Sequence, residues 1–125
     1  MKSSSYKKGR KAERFVVEKL WKRGYAAVKI PGSGRAYKRP HPDVVAGNGR
    51  NYFTIEVKVT QNDYKYFPKK EVEDLKSFSE IFGAKALFAV RFKGKWRLFE
   101  TFDLGKTKKG YKALSEKGRM FEEVF

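Results

Sequence analysis

The architecture of this chain is most clearly indicated by residues 42–59, PDVVAGNGRNYFTIEVKV. In its second half apolar residues alternate with Tyr, Thr, Glu and Lys, which predicts a half-buried β-strand. The Gly-Asn-Gly sequence at 47–49 predicts a turn that folds this strand back onto residues 43–46 as a hairpin. Side chains on a strand repeat every two residues, so Glu56 and Lys58 share a face, and the hairpin brings Asp43 beside them.

These three side chains predict a phosphodiester-cleaving site. Two converging carboxylates, Asp43 and Glu56, suit a hard cation such as Mg²⁺, which takes oxygen ligands and keeps some of its waters. Lys58 beside them can orient or help to deprotonate a water and can stabilise charge that develops on a phosphate. The alternative is a surface hairpin with an ordinary Glu/Lys pair, which the E-x-K pattern alone would favour. The Pro-Asp pair at hairpin distance favours the site.

The charge of the chain is strongly basic and unevenly distributed. The 125 residues carry a formal net charge of +16. Residues 1–40 hold thirteen Lys and Arg against two acids, a net charge of +11. Such an excess attracts polyanions, and nucleic acid is the expected partner because no apolar run is long enough to span a membrane. A lysine-rich surface serving solubility or heat resistance is the alternative, but such surfaces are usually balanced by Glu.

The chain has no Cys and a single His. Zinc sites of the Cys/His type, thiol catalysis and disulfides are therefore excluded. The N-terminus leads from a polar segment into a charged helix rather than an apolar signal segment. We expect a cytoplasmic, intracellular protein that is associated with the nucleoid and not with a membrane.

A carboxylate falls on the apolar face of the first predicted helix, residues 6–23. The apolar residues at helical spacing are Ala12, Val16, Val17, Leu20 and Trp21. Glu13 lies within this stripe. A buried charge without a partner is costly, so Glu13 needs a cation, a metal or a hydrogen-bonding network. The alternative is a residue at the edge of the stripe that pairs with Arg10 or Lys7.

A basic loop rich in Gly and Pro, residues 31–42, leads to Asp43. Its position at the mouth of the predicted site makes Arg35, Lys38 and Arg39 candidates for phosphate contacts. Ser33 is a candidate hydrogen-bond donor to a phosphate. For each of these residues the alternative is a solvated loop position.

The remaining patterns complete a single domain over residues 1–125. We expect a disordered lead-in over residues 1–5, strands over 25–30, 84–92 and 95–102, and a helix over 69–82. Tyr64, Tyr66 and Phe67 alternate with lysines in a segment that is typical either of a nucleic-acid clasp or of a covered loop, with Phe67 expected in the core. Residues 103–125 predict an irregular or partly helical tail. The order of elements indicates a mixed sheet with helices packed over it.

Five motifs follow one another in the chain: KGRKAER at 8–14, GYAAV at 24–28, GSG at 32–34, PDVVAGNG at 42–49 and IEVK at 55–58. Together they closely resemble the archaeal Holliday junction resolvases of the PD-(D/E)XK nuclease superfamily, over about residues 6–100. The resemblance implies the restriction-endonuclease-like α/β fold, in which helices flank a mixed central sheet of about five strands.

The resemblance also implies catalytic and metal-binding roles. Glu13 matches the helix-borne catalytic acid, acting on the metal through water, and Asp43 and Glu56 match the metal-binding acids. The backbone carbonyl of Val57 is implied as a further ligand. Lys58 matches the catalytic lysine, and Ser33 matches a loop serine that supports cleavage.

Substrate and subunit contacts are expected at other positions. The residues expected to bind DNA are Lys7, Lys8, Arg10, Arg14, Lys29, Arg35, Lys38 and Arg39. Phe78 and Phe82 match helix aromatics of the subunit contact in a symmetric homodimer, whereas composition alone would place them in the core.

The resemblance implies a crossover junction endodeoxyribonuclease that uses Mg²⁺, or Mn²⁺ in its place. Such an enzyme resolves four-way (Holliday) DNA junctions by paired nicks in recombination and repair. Two alternatives stand beside it: a related nuclease that acts on flaps, ends or mismatches, and a non-catalytic protein that binds branched DNA.

Overall fold

The computed structural model describes the backbone of residues 4–31 and 39–125, and the side chains from residue 7 onwards within those ranges. Ser33, Arg35 and Lys38 lie outside the described residues. Helices α1, α2 and α3 span Ser4–Lys22, Lys69–Phe82 and Phe121–Val124. The strands are β1 Ala26–Lys29, β2 Val44–Gly47, β3 Tyr52–Thr60, β4 Tyr64–Pro68, β5 Lys85–Phe92, β6 Lys95–Phe99, β7 Gly105–Lys106 and β8 Gly110–Leu114. Short 3₁₀ turns occupy Thr101–Asp103 and Ser115–Lys117.

Five strands form the central sheet in the order β1-β2-β3-β5-β6. Strands β3 and β5 are parallel, and the other neighbours are antiparallel. The predicted mixed sheet of about five strands is therefore confirmed. The hairpin is confirmed as well, because β2 pairs with β3 in a register that sets Val44 opposite Ile55.

The two long helices cover opposite faces of this sheet. Helix α1 buries Ala12, Val16 and Leu20 in the cluster that contains Ile55 of β3. Helix α2 buries its own stripe over the other face, against β3 and β5. The sequence predicts a half-buried β3, but Thr54 is fully buried because α2 covers the second face of the strand. Burial on both faces is expected for a strand with a parallel neighbour.

A buried polar contact fixes α2 on β3. The hydroxyl groups of Thr54 and Ser79 form a hydrogen bond, and the Ser79 hydroxyl donates to the Leu75 carbonyl at 2.7 Å. Because the Ser79 hydroxyl donates its proton to Leu75, the buried Thr54 hydroxyl donates to the Ser79 oxygen, which satisfies it. The contact sets how α2 lies along the strand that carries Glu56 and Lys58.

A second sheet of three strands, in the order β4-β8-β7, corrects the prediction for residues 103–125. Part of the expected irregular tail forms β7 and β8, and β8 pairs with β4. The strands are too short for a pattern of alternation to show in the sequence. In addition, the β4 partner of β8 lies far away along the chain. Phe67 is only 2% exposed, which confirms its predicted place in the core.

Several predicted element boundaries move. Helix α1 begins at Ser4, so the predicted disordered lead-in is wrong for residues 4 and 5. Helix α2 has the predicted bounds, and Gly83 ends it in the left-handed conformation (φ 86°). The last predicted strand stops at Phe99, because Asp103 accepts a hydrogen bond from the Glu100 N–H and closes a 3₁₀ turn. Within the described ranges, no helix has the length and apolar character to cross a membrane.

Candidate active site

The hairpin holds the Asp43 carboxylate against β3. The backbone N–H of Asp43 donates to the Ile55 carbonyl at 3.0 Å, which continues the β2–β3 ladder by one residue. Its carboxylate oxygen Oδ2 accepts the Val57 N–H at 2.7 Å. Asp43 therefore stands beside Glu56 and Lys58, as the sequence predicts.

Asp43 and Glu56 form a pair of carboxyl groups in a poorly solvated place. Burial, reinforced by the Asp43 charge, raises the pKa of Glu56 to about 9. Burial also raises the pKa of Asp43, although the Val57 N–H and the Lys58 ammonium act in the opposite direction. Two carboxylates that share a site cannot easily both ionise. At neutral pH the carboxyl groups of Asp43 and Glu56 therefore share a proton, unless another cation binds between them.

Lys58 lies between carboxylates of two elements. Its Nζ is 2.8 Å from Oε1 of Glu71 and 3.8 Å from Oε2 of Glu56. Burial lowers the pKa of Lys58, but the hydrogen bond and the charge of Glu71 outweigh burial, so the pKa is raised. Lys58 is therefore an ammonium cation at neutral pH, which suits charge stabilisation and orientation better than proton abstraction.

Glu71 is the site residue that the sequence analysis does not find. It lies in the first turn of α2 and reaches both Lys58 and Glu56. An acid in the first turn of a helix is common because it interacts favourably with the helix dipole, so the pattern gives no reason to single it out. Only the position of α2 over β3 reveals the contact.

Glu13 approaches the same place from helix α1. Burial, followed by the negative charge of Asp43, raises the pKa of Glu13. Its carboxylate oxygen Oε1 is 3.3 Å from Nζ of Lys29 on β1. The sequence leaves Arg10 or Lys7 as pairing partners, whereas the ion pair is with Lys29. Arg10 contributes a smaller electrostatic effect on the pKa.

The other predicted site residues lie on the surface where they are described. Lys7, Lys8, Arg10, Arg14 and Arg39 are exposed, as contact with DNA would require. Lys29 forms an ion pair with Glu13, and the predicted contact of Lys29 with DNA stays a prediction. The rings of Phe78 and Phe82 stack with centroids 5.4 Å apart, and Phe82 is 55% exposed, so it is not the core residue that composition alone suggests.

The donor atoms of the site fit a hard divalent cation. Asp43 and Glu56 offer carboxylate oxygens in one place, and their raised pKa values show that negative charge there needs compensation. In the described part of the chain, no group of three or more His, Cys, Asp and Glu side chains is arranged to hold a metal ion. A cation that retains several waters, as Mg²⁺ does, needs only one or two protein carboxylates.

Comparisons with known proteins agree with this geometry. The family model described as "Archaeal holliday junction resolvase (hjc)" matches residues 4–125. The crossover junction endodeoxyribonuclease Hjc of Archaeoglobus fulgidus is 43% identical over 106 residues, 84% of this chain and 77% of that protein. The protein of the same name from Methanocaldococcus jannaschii is 33% identical over 85% of this chain and 75% of its own length. The 1.6 Å structure of A. fulgidus Hjc, a Holliday junction resolvase, superimposes with a TM-score of 0.84 at 38% identity and covers 94% of each chain.

Proposed function

Because this chain belongs to the archaeal Holliday junction resolvase family, we propose that it is a Mg²⁺-dependent endodeoxyribonuclease that resolves four-way DNA junctions by paired nicks. Mn²⁺ is proposed as a substitute metal. The enzyme would act as a homodimer on DNA inside the cell, at the nucleoid, in recombination and repair.

The observation that carries this proposal is the meeting of Asp43, Glu56 and Lys58 at one half-buried place. Each reaches it from the β2–β3 hairpin, and the Val57 N–H fixes Asp43 there. A structural ion pair would not need a second carboxylate whose pKa is raised to about 9. Strongly perturbed acids beside a lysine are characteristic of catalytic sites.

Asp43 and Glu56 would hold the metal, with the Val57 carbonyl as a further ligand. When bound, Mg²⁺ would lower the pKa of a coordinated water and neutralise charge on the scissile phosphate. Asp43 is pre-positioned for this role by its hydrogen bond to the Val57 N–H. Glu13 faces the Asp43 charge from α1 and would act on the metal through water.

Lys58 would orient the attacking water and stabilise the phosphate oxygens as an ammonium cation. Glu71 holds the Lys58 Nζ at 2.8 Å and so fixes the direction in which the cation points. Glu71 is therefore proposed as a positioning residue, and Lys58 as the group that contacts the substrate. A preorganised cation needs no rearrangement during the reaction.

Exposed apolar residues on α2 support the proposed homodimer. Phe82 is 55% exposed and Ile81 is 90% exposed, and both lie at the C-terminal end of the helix with the stacked ring of Phe78. Exposed neighbouring apolar residues of this kind mark interaction surfaces. A two-fold symmetric dimer suits the junction, because resolution requires two matched cuts.

A cleavage assay on three substrates tests the proposal. Wild-type protein is incubated with an immobile four-way junction, a flap and a linear duplex, with Mg²⁺ or with EDTA. We expect paired nicks in the junction, only with the metal present. Asp43→Asn and Glu56→Ala should abolish cutting and retain binding. Preferential cutting of the flap would instead support the related nuclease, and unaltered function of Asp43→Asn would support the non-catalytic DNA binder.

A further inference from the structure

A second concentration of positive charge lies on the small β4-β8-β7 sheet. Residues 64–70 and 104–114 hold seven lysines and no acidic residue. The rest of residues 41–125 holds ten basic and twelve acidic residues. The excess positive charge beyond the N-terminal region is therefore confined to the small sheet and its connections.

Most of these lysines are not neutralised by the protein. Lys69 and Lys70 pair with Glu73 and Asp74 of the same helix. The other five, within the described ranges, have no carboxylate within 4.0 Å: Lys65, Lys106, Lys108, Lys109 and Lys112. Like charges on neighbouring strands repel one another, so a polyanion would relieve the repulsion.

The outer face of the sheet presents two tyrosines together with a lysine. Tyr64 and Tyr66 are 38% and 55% exposed, and their rings meet at 68° with centroids 5.4 Å apart. Lys112 pairs with Tyr66 in the strand register, and its Nζ lies 5.0 and 5.2 Å from the two ring centroids. We call Tyr64, Tyr66, Lys108, Lys109 and Lys112 the outer-sheet surface.

This surface contacts the end of α2 that carries Glu71. The backbone N–H of Lys69, at the start of α2, donates to the Lys109 carbonyl at 3.4 Å. A Cβ atom on Gly110 would lie 2.2 Å from a backbone oxygen of β4, so only glycine allows this close approach of the lysine turn to α2. Two residues after Lys69, Glu71 binds Lys58 at 2.8 Å. The lysine turn, residues 106–109, is therefore hydrogen-bonded to the end of α2 that carries Glu71.

We propose that the outer-sheet surface binds the phosphodiester backbone of the DNA arm next to the cleaved strand. The proposal rests on the proposed function. Lysine ammonium groups bind phosphates as point charges, and tyrosine hydroxyl groups donate hydrogen bonds to phosphate oxygens. Neither contact depends on the base sequence, so the surface would increase the affinity for DNA without adding sequence preference. An anionic lipid surface offers similar phosphate chemistry, but the contact of this surface with the helix end that carries Glu71, the partner of Lys58, favours DNA.

The salt dependence of DNA binding tests this proposal. A variant combining Lys108→Ala, Lys109→Ala and Lys112→Ala is titrated with a labelled four-way junction in EDTA, by fluorescence anisotropy, over roughly 50 to 300 mM KCl. The slope of log K against log salt should become shallower by about 2 to 3 per subunit, because each lost phosphate contact removes about 0.9. Replacement of the same three lysines by Arg should preserve the wild-type slope.

A charge-matched control is the variant combining Lys93→Ala, Lys95→Ala and Lys117→Ala. These lysines are exposed, and Lys93 lies 3.4 Å from a carboxylate oxygen of Asp63. Both triple variants lose the same charge, so equal slopes would overturn the proposal. It would also be overturned if the outer-sheet variant kept its slope on DNA but lost binding to phosphatidylserine vesicles. Failure of the wild type to cut junctions would refute the proposed function alone, because the slopes can also be compared on linear duplex.

Discussion

Replacement of Glu56 by Gln should stabilise the metal-free protein while it abolishes cleavage. The pKa of Glu56 is about 9 in the folded protein, against 4.5 for a freely solvated glutamate side chain. Between these two values the folded state binds a proton that the unfolded state has released. Stability contributed by this group is therefore full below pH 4.5 and is lost as the pH rises towards 9. Because Gln cannot ionise, the Glu56→Gln variant does not lose this stability as the pH rises.

The magnitude follows from the distance between the assay pH and the unfolded pKa. At about pH 7.5 the assay pH lies about three units above the pKa of Glu56 in the unfolded chain. This corresponds to a gain of about 4 kcal/mol in the free energy of unfolding of Glu56→Gln over wild type, which is an upper limit because Asp43 shares the proton. For a domain of this size that is about 15 °C in Tm. At about pH 5 the same calculation gives only about 1 kcal/mol.

Thermal unfolding in EDTA at these two pH values checks the prediction. The matched control is Glu73→Gln, the same change at a carboxylate whose side chain is 53% exposed, and it should leave Tm nearly unchanged. Added Mg²⁺ should stabilise the wild type more than Glu56→Gln. A Glu56→Gln variant that is less stable than wild type near pH 7.5, or a difference independent of pH, would refute the reasoning.

Three further predictions concern residues of helix α2. Glu71→Ala should slow single-turnover cleavage by about 10- to 100-fold with little change in junction affinity, because the Lys58 ammonium group, which we propose to be catalytic, loses its positioning partner. Glu71→Gln should restore part of the rate and Glu73→Ala should cut like wild type, whereas equal rates for all variants would exclude this role. Phe82→Lys should yield a folded monomer by light scattering, since the ring is 55% exposed, and a persisting dimer would contradict the proposed interface. Ser79→Ala should lower the free energy of unfolding, measured with denaturant, by about 1 to 3 kcal/mol, because it leaves the buried Thr54 hydroxyl unpaired. The double variant with Thr54→Val should recover part of this loss. Additive losses of stability would exclude this cause.

The hairpin and the meeting of Asp43, Glu56 and Lys58 on it can be predicted from the sequence because the determining interactions are local. Alternation places Glu56 and Lys58 on one face, and a glycine turn returns the chain so that Asp43 meets them. Glu13 can be singled out for a similar reason, since a carboxylate on an apolar helix face requires a partner. The partner is Lys29, and this pairing depends on how α1 packs over β1, so neither segment's sequence predicts it.

Phe78 and Phe82 show how local patterns can mislead. Their helical spacing agrees with the buried stripe of α2, and α2 has the predicted bounds. The sheet accepts only the part of the helix surface around Val72, Leu75 and Ser79, and Phe82 is left exposed. The pattern predicts an apolar face, but only the part of that face that packs against the strands is buried.

The order of the main elements, which indicates a mixed sheet, and the meeting of Asp43, Glu56 and Lys58 follow from the sequence, because residues within a few positions of one another specify helices, turns and hairpins. The contact of Glu71 with Lys58 and the lysine-rich sheet completed by residues 105–114 follow from the tertiary structure alone. Those contacts join residues distant in the chain, and their energy depends on the packing of α2 against β3 and on the pairing of β4 with β8. Strands as short as β4, β7 and β8 carry no periodic signal in the sequence that could specify their partners.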